Sequence, residues 1–223
     1  MTPVDWITFD CYGTLIDWER GVADALGPFL PPPVDAAALA ARYIAIEAEV
    51  ERERYRPYRE ILAVTAARVM EAIGRPLPAG QERVLADSLP SWRPFPEVPQ
   101  ALGALRAAGY RLAILSNVDR DLLAASVTHL GVQPDLTVTA EDCRSYKPTR
   151  AHWDQFRTLS GTSPSRTVHV AASVFHDIVP ATALGYRTVF VNRHHAPITG
   201  GPPTRVLADL RTLPQVVDEL AGS

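Results

Sequence analysis

Val4-Asp5-Trp6-Ile7-Thr8-Phe9-Asp10-Cys11-Tyr12-Gly13-Thr14-Leu15 is an apolar run that ends on a carboxylate and passes into a glycine-bearing loop. Residues 4–9 read as a buried strand closing at Asp10, and Gly13 permits a tight turn directly behind it. Four more apolar runs follow at 111–115, 136–139, 167–171 and 187–191. Helical patterns fall near 97–108, 120–130, 150–160, 178–184 and 213–221. Strands alternating with helices predict an α/β fold: a Rossmann-like parallel sheet core with helices on both faces.

Residues 17–92 interrupt that rhythm, because they contain no strand pattern. Leu39, Tyr43, Ile46 and Val50 form one helical stripe, Tyr58, Ile61, Leu62, Thr65, Val69 and Ile73 a second, and Val84, Leu85 and Leu89 a third. Ten of the nineteen residues from 42 to 60 are Arg or Glu, which reads as a solvated helix face with paired charges. Prolines cluster where this segment begins, turns and returns, at Pro28, Pro31 to Pro33, Pro76, Pro78, Pro90, Pro94, Pro96 and Pro99. The expectation is a core formed by 1–16 and 93–223, with an inserted α-helical cap at 17–92. Trp18 and Trp92 would mark its hinges.

Bulk properties narrow the function classes. The 223 residues carry a net charge of -3, so no basic surface calls for nucleic acid. No apolar run approaches the ~20 residues that span a bilayer, and the first residues lack the pattern of a secretory leader. Two cysteines, Cys11 and Cys143, are too few for a disulfide scaffold. The expectation is a cytoplasmic protein that binds neither nucleic acid nor membrane.

Open α/β sheets bind ligands beyond the carboxyl ends of their strands. The residues falling there are Asp10, Ser116, Asn117, Lys147 and Asp177. Asp10 is a candidate nucleophile, or a turn cap. Ser116 and Asn117 offer a hydroxyl and an amide to an anionic group, or cap a helix. Lys147 would keep a neighbouring Asp10 anionic, or lie on the surface. Asp177 would orient Lys147 or a water, or begin a helix.

Taken together and in this order, Asp10-Cys11-Tyr12-Gly13-Thr14-Leu15, Ser116-Asn117, Lys147-Pro148 and the small-residue loop leading to Asp177 resemble the haloacid dehalogenase superfamily of hydrolases. The resemblance implies a Rossmann-like core and a mobile helical cap. Phosphatases of that superfamily carry a second acid where this chain has Tyr12, and an acidic metal ligand where it has Ala172. Asp10 and Asp177 would be the two carboxylates left for Mg²⁺ under that alternative. The L-2-haloacid dehalogenase branch, which shows Asp-x-Tyr-Gly-Thr and works without metal, is the better match. It implies no cofactor and a small anionic substrate, attacked by Asp10 to give an ester that water hydrolyses. Lys147 would hold Asp10 anionic, and Asp177 would position Lys147 or the water. Tyr12, Thr14, Ser116 and Asn117 would line the substrate site, and Arg42 on the first long cap helix would receive the halide. The resemblance also allows a homodimer. Three positions depart from the branch: Ala172 and Val174 replace a serine and an asparagine, and Trp153 replaces a tyrosine.

Other chemistry-bearing residues carry less. Cys11 is expected to point into packing, and His194 and His195 to be loop residues without metal partners; His176, next to Asp177, either lines the site or, in the preferred reading, is a loop histidine without function. The alternatives to a dehalogenase-like hydrolase are a Mg²⁺-dependent phosphatase and a non-catalytic binding protein of the same fold.

Overall fold

The structure, a computed structural model, describes residues 4–222. The outermost positions of the expected core, 1–3 and 223, lie outside the described residues. The strands are β1 (Trp6–Phe9), β2 (Arg111–Ser116), β3 (Leu136–Thr139), β4 (Thr167–Ala171), β5 (Arg187–Val191) and β6 (Arg205–Leu207). They form one sheet in the order β3-β2-β1-β4-β5-β6, and every neighbouring pair is parallel. All four residues of β1 are buried, as a strand covered on both faces requires. Strand β6 was not expected. It has three residues and little burial, so no periodicity announces it; pairing of Val189 to Val191 with Arg205 to Leu207 defines it.

Residues 17–92 hold α1 (Trp18–Leu26), α2 (Ala36–Glu53), α3 (Tyr58–Ala72) and α4 (Val84–Ser88), and no strand among the named elements. Asp17 and Asp35 cap the first two helices by accepting the backbone N–H groups of Arg20 and Ala38. Pro57 begins α3 and offers no cap of its own. The return path brings Trp92 onto α1, where a Cβ on Gly21 would lie 2.4 Å from the indole. Only glycine allows that approach.

The remaining helices are α5 (Val98–Ala107), α6 (Arg120–Val127), α7 (Ala140–Cys143), α8 (Ala151–Ser160), α9 (Val179–Ala183) and α10 (Leu213–Gly222). A π-turn over Val174–Ile178 leads into α9. One apolar core runs from Ile7, Phe9 and Leu112 of the sheet to Val22, Leu62 and Val69 of the helical segment. A second, around Trp6, Leu115, Trp153 and Phe156, fills the opposite face. Among the described residues no helix is long and apolar enough to cross a membrane.

This topology gathers the ends of β1, β2 and β4 at one edge of the sheet. The strand order reverses direction between β1 and β4, the place where such sheets open a crevice. The N–H of Asp10 bonds to Val170 O of β4 across that crevice at 3.0 Å.

Candidate active site

Asp10 follows β1 directly, and its two oxygens have different partners. Oδ1 accepts from Lys147 Nζ at 2.9 Å, and Oδ2 accepts from the Thr14 hydroxyl at 2.8 Å. Thr14 in turn accepts the Ala172 N–H at 2.9 Å, so its hydroxyl is engaged in both directions. The loop returns Thr14 to Asp10 because Leu15 and Ile16 N–H both reach Cys11 O, with Gly13 at φ 91°. That backbone angle suits glycine alone. Cys11 is fully buried in packing and is a free thiol, as is Cys143.

Lys147 is 2 % exposed and spends all three N–H donors: on Asp10, on Leu115 O at 2.9 Å and on Asp177 Oδ1 at 2.7 Å. Burial alone would drive off its proton. The carboxylates of Asp10 and Asp177 outweigh burial and hold the ammonium above its usual range. Burial likewise opposes the charge on Asp177, but Lys147 and the His169 N–H outweigh it and keep that carboxyl well below the usual range. His169 on β4 lies 3.1 Å from Asp177 Oδ1 through Nε2, and its Nδ1 lies 2.8 Å from Thr8 Oγ1. The arrangement fits a tautomer in which Thr8 donates to Nδ1 and Nε2–H donates to Asp177.

Asn117 pairs with the backbone of Lys147 in both directions, at 3.2 Å to its O and 2.7 Å from its N–H. Its amide therefore holds the lysine loop in place. Ser116 Oγ and Asp177 Oδ2 are buried and have no partner. A buried polar atom left unpaired is costly, and both residues line a cavity of about 100 Å³ together with Asp10, Asn117 and Lys147. Tyr12 lines it too; its hydroxyl meets Ser126 Oγ at 2.9 Å and its ring meets Trp92 edge-on. A carboxylate gripped through both oxygens, beside a small cavity with an unpaired hydroxyl and an unpaired carboxylate oxygen, suits nucleophilic attack on a small molecule followed by attack of water.

Residues 4–185 match the family described as "Hydrolase: haloacid dehalogenase-like hydrolase". The chain belongs to that family. It is 28% identical over 199 residues to haloacetate dehalogenase H-2 of Moraxella sp. (strain B), with 87% of this chain and 88% of that protein covered. It is 25% identical to (S)-2-haloacid dehalogenase 1 of Pseudomonas sp. (strain CBS-3), over 97% of this chain and 98% of that one. A crystal structure of an L-2-haloacid dehalogenase superposes with a TM-score of 0.88 at 25% identity, covering 97% of this chain and all of the other.

The cap side of the cavity departs from the sequence expectation. Arg42 does not reach it. The residue is exposed on α2, and at 100° per residue it lies on the side opposite Glu51. The α2 side chains that line the cavity are Glu47 and Glu51, joined by Tyr58 from α3. The Arg/Glu run read as a solvated face is therefore split. Arg56 and Glu53 do pair at the surface at 2.8 Å, but Glu47 and Glu51 turn inward. Glu47 Oε1 accepts the hydroxyls of Tyr43 at 2.8 Å and Tyr58 at 2.7 Å. His176 also lines the cavity, beside Ser173, as the less favoured of its two readings had it.

Two further residues escaped sequence reasoning. Arg193, after β5, donates to Gly13 O at 3.2 Å and Thr14 O at 2.8 Å, pairs with Glu97 at 2.8 Å and lies 3.6 Å over the Phe95 ring. It clamps the loop that follows Asp10 from outside. Asp119, after β2, supplies the cap that Pro57 cannot, accepting the N–H groups of Tyr58 at 2.7 Å and Arg59 at 3.1 Å. It thereby ties the start of α3 to the sheet. Trp153 is wholly buried and meets His169 edge-on at 5.4 Å, so it packs behind the Asp177 carboxylate. His194 pairs with Glu19 at 3.0 Å in a surface turn. No group of three or more His, Cys, Asp or Glu side chains suited to a metal exists among the described residues.

Proposed function

We propose that this chain releases halide from a small 2-haloalkanoic acid through an aspartyl ester, without a metal. Asp10 attacks the halogen-bearing carbon; the C–O bond forms as the C–halogen bond breaks and the halide leaves with its electron pair. Water then attacks the ester carbonyl, returning the Asp10 carboxylate and freeing a 2-hydroxy acid. The observation that carries this reading is the grip on Asp10, with Lys147 on one oxygen and Thr14 on the other, at the wall of a cavity sized for a few heavy atoms. Ser116 Oγ, which lacks a partner, would meet the substrate carboxylate. Asp177 Oδ2, also unpartnered, would receive the water. Asn117 would position Lys147, and Tyr12 would wall the cavity.

The donor set fits Mg²⁺ poorly. An ammonium already bridges the two carboxylates that would have to share the ion, and Ala172 supplies no third. We also propose the division of labour 1–16 with 93–223 as the catalytic core and 17–92 as the cap. The two free thiols support placing the protein in a reducing cytoplasm.

The test is to incubate the protein with L-2-chloropropionate and with an aryl phosphate, each with and without chelator. Halide release that survives chelator and vanishes in Asp10→Asn is the expected result. Phosphate release that depends on Mg²⁺, or wild type and Asp10→Asn behaving alike, would overturn the reading.

A further inference from the structure

A second crevice opens off the site. It has a volume of about 430 Å³ and lies between the C-terminal end of α2 and the loop of residues 144–149. Glu51, Lys147 and His176 line both this crevice and the smaller cavity of Asp10. A longer chain on the reacting carbon would therefore continue through that shared wall. The crevice is preformed: the Tyr146 hydroxyl donates to Arg56 O at 2.9 Å, and the Tyr55 and Tyr146 rings lie 5.6 Å apart. Phe175, 61 % exposed, joins these two rings and Pro148 to give the crevice an apolar wall.

The rim of this crevice is cationic. Arg52, Arg54 and Arg144 line it, and all three are exposed. Other arginines close to them in sequence are neutralised, Arg56 by Glu53 at 2.8 Å and Arg150 by Asp154 at 2.6 Å. Among the described residues, Arg52, Arg54 and Arg144 have no carboxylate at ion-pairing distance; Arg144 lies instead over the Tyr55 ring, 5.4 Å from its centre. The acid in the lining is Glu51, at the shared wall, and Lys147 is already spent on Asp10 and Asp177. A chain of net charge -3 thus concentrates unpaired positive charge at one mouth of its site. Guanidinium groups grip a carboxylate through two parallel N–H donors.

We propose that the crevice is a remote subsite, and that it selects 2-haloalkanoic acids bearing a second, terminal carboxylate. The proposal rests on the reaction given above. The reacting end occupies the cavity of Asp10, the methylene chain passes between Tyr55, Tyr146 and Phe175, and the terminal carboxylate meets the three arginines. The order of groups along this path sets a minimum length. A short diacid would leave its second carboxylate in the inner cavity, among Asp10, Glu51 and Asp177, where like charges repel it. A longer one carries that charge past the shared wall to the rim. A short monoacid fills the inner cavity alone and gains nothing from the rim.

The test measures bromide release from 2-bromosuccinate, 2-bromoadipate and 2-bromosuberate. Each is compared with the methyl-ended acid of the same backbone: 2-bromobutyrate, 2-bromohexanoate and 2-bromooctanoate. The diacid should lose to its partner at the shortest length. At one or both of the longer lengths it should win by about 10-fold in kcat/KM, the worth of one charge-assisted contact. A diacid that is no better than its partner at any length would overturn the proposal. In the triple variant Arg52→Gln/Arg54→Gln/Arg144→Gln the winning ratio should fall to near one, through KM. An unchanged ratio, or equal losses on diacid and monoacid, would overturn it; equal losses would mean that the arginines merely steer anions inward. Calorimetric titration with suberate and with octanoate reads the subsite without turnover. If no bromo acid releases bromide, the reaction is wrong and the titration decides alone. Tighter binding of suberate that is lost in the triple variant upholds the subsite, and equal binding of the two acids overturns it.

Discussion

Lys147 is the residue on which the site balances. It neutralises two buried carboxylates and has no donor left over. Lys147→Met would leave Asp10 and Asp177 facing each other without compensation. Removing one partner of a buried ionic group costs about 3–5 kcal/mol, so urea denaturation should show a loss of that order along with abolished halide release. Asp177 adds an acid-side dependence. Its carboxyl sits well below the usual range when folded, so its contribution is full above the unfolded value and is lost as pH falls through the folded one. Asp177→Asn should remove that part of the acid sensitivity. That Asp10, Lys147 and Asp177 belong together was readable in the sequence because each occupies a strand end or a loop beyond one. Glu47 and Glu51 were not. Their residue types match those of their exposed neighbours, and only docking of α2 over the sheet selects which of them turns inward.

At the scale of elements, α2 and α3 were legible from their apolar stripes, while α1 and β6 were not. Trp18–Leu26 is a short helix fixed by the Asp17 cap and by Trp92 lying on Gly21; that contact joins residues far apart in sequence. The Asp119 cap of α3 is equally non-local, since Pro57 precedes the helix and gives no hint of where its first N–H groups go. Asp119→Ala should cost about 1–2 kcal/mol, the usual worth of such a cap, and should raise amide hydrogen exchange in the first turn of α3 more than in β1. Arg193→Met should release the Gly13–Thr14 carbonyls from outside. It should lower the maximal rate more than it changes the Michaelis constant, because the loop it holds orients the nucleophile and leaves the cavity walls unchanged.

For the whole molecule, the inserted helices share one continuous apolar core with the sheet and bring acidic groups to the site. That combination has a signature in stability. Burial and Glu47 push the Glu51 carboxyl from 4.5 to about 8, so between those values the folded chain holds a proton that the unfolded chain has released. Stability is then greatest below the unfolded value and declines as pH rises toward the folded one, by at most about 1.4 kcal/mol per pH unit. Glu51→Gln removes the decline, and its melting temperature relative to wild type should rise steadily across that window.

The central claim is that Asp10 becomes covalently bound to substrate and is regenerated by water. A single turnover in heavy-oxygen water, with enzyme in excess over L-2-chloropropionate, tests it most directly. After digestion, the peptide containing Asp10 should carry the heavy oxygen while the hydroxy acid carries ordinary oxygen, because water attacks the aspartyl ester carbonyl. Heavy oxygen found in the product, with the Asp10 peptide unlabelled, would mean that water attacks the substrate directly and would contradict the account.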